Sequence, residues 1–236
     1  MIQRIFLIAC VFVLGAAGGI WAQAFLLPYL ASSPSFQNLK FIQDWNARTV
    51  LVQPVSRISV TEQAALEKTV EKSGKAVVLV QSSISRKGSG LVVTSDGLIL
   101  TRASLVPSGF VVSVSFDQSQ EKIPAQVLKR DAVNNLALLK VAKSNLPTAG
   151  FINDGDLKPG TKLVLIAASD TGTIVNEGVV RSIAGDLIQS TMTETAASTG
   201  AAIFTVEGRV AGIAAVASSG SVTVIPASFL RSFLGL

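Results

Sequence analysis

The 236-residue chain has no histidine, a single cysteine, one tyrosine and two tryptophans, and aromatic residues make up only 6% of it. Each scarcity closes a class of chemistry. Without histidine there is no imidazole to act as a base near neutral pH or to bind a metal. One cysteine, Cys10 in an apolar run, allows no internal disulfide, zinc finger or iron–sulfur cluster. A metal would need carboxylates alone, and the sequence gathers none into a cluster, so neither metal nor cofactor is expected. Charged residues make up 15%, and the formal charge of +5 is scattered among acids. Phosphate binding needs basic residues concentrated on one face, so nucleic acid is not an expected partner.

Apolar residues, by contrast, make up 49% of the chain, and part of that excess lies at the N-terminus. From Ile5 to Leu27 the run IFLIACVFVLGAAGGIWAQAFLL carries no charge, and its length suffices to cross a bilayer as one helix. Arg4 precedes it and no Lys or Arg follows until Lys40. The positive-inside rule then makes residues 1–4 a cytoplasmic tip, 5–27 a single-pass anchor, and the remainder periplasmic or cell-surface. Ala22-Gln23-Ala24 also fits the small-x-small pattern of a signal-peptide cleavage site. A retained anchor is the expected form, with a cleaved leader as the alternative. Gly15 and Gly19 form a G-x-x-x-G spacing suited to helix pairing.

Residues 28–74 read as a stalk ending in a short helix, Thr61 to Lys72, with Thr61 as N-cap, Ala65, Leu66 and Val70 on one stripe, and Gly74 as the stop. From Lys75 the pattern changes to short runs rich in Val, Ile, Thr and Ser, separated by turn residues. Ser95-Asp96-Gly97 and Glu207-Gly208 are the plainest hairpin signals. Two successive series of strands, over 75–145 and 155–236, predict an all-β fold of two antiparallel barrels, closed by a helix after Pro226. Pattern alone leaves one β-sandwich as an alternative.

Three blocks in register carry a family likeness. Gly88-Ser89-Gly90 and Asp96-Gly97 lead into Thr101-Arg102-Ala103-Ser104; DAVNNLALLKV runs from Asp131 to Val141; IQSTMTETAASTGAA begins at Ile188. Together they resemble the protease domain of the HtrA/Deg family of trypsin-like serine proteases, over about residues 75 to 232. The resemblance implies the double barrel, and it places Ser104 at the family's histidine, Asn135 at its acid and Thr199 at its serine. Ala197 stands at an oxyanion-hole glycine, with the Thr199 N–H as the second donor. If that glycine uses positive φ, alanine resists the conformation. The chain stops at Leu236, so no PDZ domain is expected.

A serine hydroxyl cannot take the imidazole's part, nor can neutral asparagine stabilise an imidazolium. From these positions the chain is expected not to be an enzyme but a membrane-anchored module that binds without cleaving. Residual serine-type endopeptidase activity, or a structural role in a membrane protease complex, are the alternatives. Ser198 is a second candidate nucleophile and Glu194, five residues before Thr199, a candidate neighbour. Lys75, Lys87, Lys140 and Lys162 read as surface residues. Trypsin-like enzymes hold substrate as an added strand, and the matching stretch here contains Ala214, Ala215 and Val216. The resemblance implies as partners unfolded or C-terminal peptides or an HtrA-type protease subunit, and a homo-trimer as the assembly.

Overall fold

The structure is a computed structural model that describes residues 14–16, 18–22, 25, 29, 56–116, 121–153, 155–185 and 187–236. The chain divides into two compact units, Met1–Val55 and Ser56–Leu236. In the first, residues 14–16 and 18–21 are helical. Among the described residues no helix is long and apolar enough to cross a membrane. Much of the Ile5–Leu27 run, and the stretch from residue 30 to Val55, lie outside the described residues.

The second unit opens with helix α1, Ser56–Ser73. It begins five residues before the expected Thr61. Pro54 disfavours helix just before it, and no Gly or Pro interrupts the sequence from Ser56 to Ser73. Leu66 and Val70 pack against the core as their spacing requires. Two polar residues on the same side fix the helix more specifically. Thr69 Oγ1 donates to Val206 O at 2.7 Å and Ser73 Oγ to Gly208 O at 3.1 Å. The helix is thereby tied to a hairpin turn of the second barrel, and it belongs to the body of the domain.

The rest is two closed antiparallel barrels of six strands each, which removes the sandwich alternative. The first comprises β1 (Val77–Ser82), β2 (Lys87–Val92), β3 (Leu98–Arg102), β4 (Val112–Ser115), β5 (Ile123–Asp131) and β6 (Leu136–Val141). The second comprises β7 (Lys162–Ser169), β8 (Gly172–Ala184), β9 (Leu187–Thr193), β10 (Ala202–Thr205), β11 (Val210–Val216) and β12 (Ser221–Pro226). Each barrel closes in the same order: the first three strands run side by side, and the third pairs with the sixth. The expected hairpin turns are present, with Gly97 at φ 100° and Gly208 at φ 78°, values that favour glycine.

The interior is not split cleanly in two. One apolar cluster fills the first barrel and extends to Val164, Ile166, Ala202, Phe204 and Val210 of the second. Another fills the second barrel. A small third cluster, Leu100, Leu136, Ile213, Leu230 and Phe233, seals the barrels beneath helix α2, Ala227–Leu234. Gly235, left-handed at φ 80°, ends that helix, and Lys129 Nζ donates to Phe233 O at 2.7 Å from the first barrel. Phe204, fully buried in the shared cluster, is the most exacting test of this arrangement. Phe204→Ala is expected to lower unfolding free energy by about 3–5 kcal/mol, the usual cost of a large buried aromatic. Urea denaturation checks this, and a loss below about 1 kcal/mol would mean that the barrels do not share a packed core.

Candidate functional site

Two turns between strands and the end of one strand build the site. The first follows β3, where a 3₁₀ turn, Ala103–Leu105, carries Ser104. The Ser104 N–H donates to Asn135 Oδ1 at 2.7 Å and its carbonyl accepts from Arg86 Nη1 at 2.7 Å. Asn135 also accepts the Ala103 N–H on its own carbonyl at 3.1 Å. It therefore clamps the Ser104 turn with both side chain and backbone. It does so from φ 54°, a left-handed conformation that asparagine tolerates better than most residues. Just ahead of it, Asp131 accepts from the N–H groups of Val133 and Asn134 and from Asn134 Nδ2. Those hydrogen bonds, the backbone one from Asn134 first, hold its carboxyl below the usual aspartate range.

The second turn is the 3₁₀ stretch Ala196–Ser198, which ends at Thr199. Here the Thr199 N–H donates to Ala196 O at 3.1 Å. An oxyanion hole needs that N–H aimed at substrate, so one of its two donors is engaged within the turn. Ala197 lies inside the turn and is not among the positive-φ residues, so the strain expected of alanine there does not arise. Glycine is demanded three residues later instead. Gly200 has φ 79°, and a Cβ on it would collide with Ser89 O.

Glu194 approaches Ser198 rather than Thr199. Its Oε2 accepts from Ser198 Oγ at 2.8 Å, and its Oε1 accepts from Asn176 Nδ2 at 2.7 Å. Ser198 is fully buried, so its hydroxyl is committed to holding the turn. The lysines lie on the surface as expected: Lys87, Lys140 and Lys162 pair with Asp170, Asp96 and Glu177, and Lys75 is exposed.

The third part is the end of β11. Ala214 is engaged internally, its N–H donating to Ala201 O at 2.8 Å and its carbonyl accepting from Gly200 N at 3.1 Å. Strand alternation turns the backbone groups of Ala215 toward β12, where it faces Thr223. The groups of Val216 point the same way as those of Ala214, beyond the end of β10 at Ala202. Of these three residues, Val216 therefore presents its backbone to the cleft.

Ser104 and Asn135 thus meet directly, and Thr199 joins them through the start of β2. Gly88 fits between Leu105 and Thr199, where an added Cβ would stand 2.6 Å from Leu105 Cδ1 and 2.6 Å from Thr199 O. Ser89 N donates to Thr199 O at 2.9 Å. The Gly-Ser-Gly signature marked this strand without revealing that Ser89 is the joint. Arg86, which holds the Ser104 carbonyl, gave no sequence signal.

A double antiparallel barrel with two such turns and an exposed strand end at the seam is the architecture of a trypsin-like peptidase. The family model described as a trypsin-like peptidase domain matches residues 88–213, more than half of the chain, and the chain belongs to that family. Among curated proteins it is similar to a probable periplasmic serine endoprotease DegP-like of Halomonas elongata, 28% identical over 53% of this chain and 28% of the relative. The serine protease HTRA1 of Xenopus tropicalis is 28% identical over 62% of this chain and 35% of the relative. A crystal structure of the serine endoprotease from Yersinia pestis shares the fold, with TM-score 0.65 and 21% identity over 72% of this chain and 65% of that one. The chain spans about a third or less of the length of these curated relatives.

These matches overturn the expectation of a non-enzyme. The family is a peptidase family, and the matched proteins are named serine endoproteases. The side chains at positions 104, 135 and 199 do not by themselves set the class of the whole protein. The side-chain facts stand, because the chain has no histidine, but they do not remove it from the serine protease class.

The clamp at Asn135 generates the next expectation. Asn135→Ala loses the bond to Ser104 N and places a Cβ-bearing residue at φ 54°, whereas Asn135→Gly loses only the bond. Thermal or urea unfolding should show Ala costing about 1 kcal/mol more than Gly. Equal losses would show that the backbone conformation is no constraint.

Proposed function

We propose that this HtrA-like domain holds extended polypeptide segments as an added strand along the exposed end of β11, on the outer side of a membrane to which residues 5–27 anchor it. The observation that carries the reading is the overrun of β11 past β10, which leaves the Val216 N–H and C=O facing the cleft. Backbone hydrogen bonds supply affinity in such a complex, and alternate side chains supply selectivity. Ala214 packs inside the second barrel, while half-buried Ala215 is small, which keeps the adjoining wall low and favours segments with bulky apolar side chains. The periplasmic naming of the DegP-like relatives supports the extracytoplasmic side.

The names of the same relatives favour a second reading, in which the bound segment is also hydrolysed. The hydroxyl at hand is that of Thr199, and its proton acceptor would have to be a group other than imidazole. Opening the oxyanion position would require the Thr199 N–H to leave Ala196 O.

Both readings are tested on one set of ten-residue peptides, by fluorescence polarisation for binding and mass spectrometry for cleavage. N-methylating the peptide nitrogen that faces Val216 O is expected to weaken binding about 10-fold or more, as loss of a hydrogen bond with an acceptor left stranded requires. Moving the methyl by one residue, to a nitrogen that points away, should restore it. Insensitivity to both placements would rule out strand addition. A peptide fragment accumulating with time and lost in Thr199→Ala would establish the second reading.

A further inference from the structure

Between the two barrels and the end of α1 lies a cavity of about 460 Å³ that none of the residues described so far as the site lines. Its floor comes from β1. Val78, Val80 and Ser82 are buried inside the first barrel, so strand alternation turns Val77, Leu79 and Gln81 outward, into the cavity. Val70 of α1 and Ala168 of β7 extend the apolar surface. Bonds fix the walls. Thr69 and Ser73 tie down α1, and Ser89 Oγ bonds both the N–H and the carbonyl of Ala168. Asp170, just beyond β7, is paired with Lys87 of β2 at 2.5 Å. The cavity is therefore held open by structure already in place, and its size falls in the range of about 300–1,000 Å³ usual for small-ligand sites.

Its polar groups are few, and most have no protein partner. Lys75 and Lys122 both line it, and among the described residues neither makes an ion pair. Glu71 is the only lining carboxylate without a counter-charge, since Asp170 is held by Lys87. One positive charge is left in excess, which suits a monoanion better than a phosphate or a dicarboxylate. Gln81 and Ser115, half-buried on the adjacent strands β1 and β4, make no side-chain hydrogen bond among the described residues. They offer an amide and a hydroxyl beside the aliphatic floor. Water can satisfy these polar groups but gains nothing from that floor. A ligand with an aliphatic body, an amide and an anionic end matches all three features.

We propose that this cavity is a binding site for an aliphatic monocarboxylate with an amide beside the acid, the chemistry of an N-acylated apolar amino acid. The aliphatic side chain rests on Val77 and Leu79, the amide meets Gln81 and Ser115, and the carboxylate is drawn to Lys75 and Lys122. Two sources share this chemistry: a free acylated amino acid, and the last residue of a polypeptide. The site is separate from the end of β11, and it does not rest on the strand-addition reading.

The test titrates the full chain in detergent with N-acetylleucine and with N-acetylleucinamide, followed by NMR. The acid is expected to bind about 10-fold or more tighter than the amide, because bonds to a charged group are the stronger ones. The methyl signals of Leu79 should move with the acid while those of Val216 stay in place. Replacing both lysines, Lys75→Gln with Lys122→Gln, should abolish the preference; both are exposed, so the fold is retained. Leu79→Asn should weaken the acid and the amide alike, by about 10-fold, as loss of an apolar contact requires. A ten-residue peptide ending in leucine identifies the source: displacement of N-acetylleucine by its free-acid form, and not by its amide, assigns the site to polypeptide ends. No displacement assigns it to the free acid. Absence of binding, equal affinity for acid and amide, or a preference that survives the double lysine variant would overturn the proposal. So would a shift at Val216 without one at Leu79. A shift at Leu79 in a chain that binds no peptide along β11 leaves the cavity site standing and strand addition refuted.

Discussion

Ser89 sits at 0% exposure between the two barrels, and most of the site hangs from it. Its N–H donates to Thr199 O at 2.9 Å, its Oγ bridges the N–H and carbonyl of Ala168, and its own carbonyl accepts from Thr101 Oγ1 at 2.7 Å. One residue of β2 is thereby joined to β3, to β7 and to the turn that ends in Thr199. Gly200 makes the joint possible, because any Cβ there would strike the Ser89 carbonyl. A buried polar group left unpaired costs about 1–3 kcal/mol, whereas a satisfied one adds direction that apolar packing lacks. The shared apolar cluster around Phe204 presses the barrels together, and the Ser89 bonds decide the register in which they meet. Sliding one barrel past the other would strand all of these groups at once.

With the register held in this way, the local shape of the cleft is set by backbone turns more than by reactive side chains. Asn135 serves as a two-point clamp on the Ser104 turn, a task for which a neutral amide is as good as a carboxylate. Glu194 and Ser198 pin the turn before Thr199 in the same manner, and Asn176 braces the carboxylate from β8. Each clamp satisfies a donor that a buried turn would otherwise leave stranded. The engaged Thr199 N–H follows from this bracing: the 3₁₀ turn closes on itself because its own carbonyl is the nearest acceptor. Any ligand that draws the N–H outward must displace Ala196 O, and must therefore work against the Glu194–Ser198 bond.

How legible this was in the sequence depends on the kind of interaction. Hairpins announced by Asp96-Gly97 and Glu207-Gly208 were legible, because positive φ selects glycine and the choice is local. Barrel strands were legible from β-branched runs, and their two successive series pointed to two barrels, with the family resemblance favouring these over one sandwich. The start of α1 was not legible, since Ser56 to Val60 has neither an apolar stripe nor a breaker to read. Thr69 and Ser73 were passed over because hydroxyls on a helix look like surface until the facing hairpin, more than a hundred residues away, supplies Val206 O and Gly208 O. Glu194 was placed near the right turn and given the wrong partner, as sequence distance could not distinguish Ser198 from Thr199. The class of the protein was misjudged for a different reason: three substituted positions were allowed to outweigh a frame that matches over more than half of the chain.

Barrel closure also bears on where a polypeptide can be received. A closed antiparallel barrel has no free edge, which protects it from pairing with other chains. Both barrels here are closed, so an added strand needs a place where one strand outruns its neighbour. β11 does so, because β10 is only four residues long and turns aside at Gly200 into the 3₁₀ stretch. The feature that shortens β10 is therefore the same one that brings Gly200 against Ser89. Lengthening β10 to cover Val216 would pull Gly200 away from the Ser89 carbonyl and undo the joint between the barrels. On this argument the exposed strand end is a geometric consequence of how the barrels are fastened, and it persists whatever side chains occupy positions 104, 135 and 199.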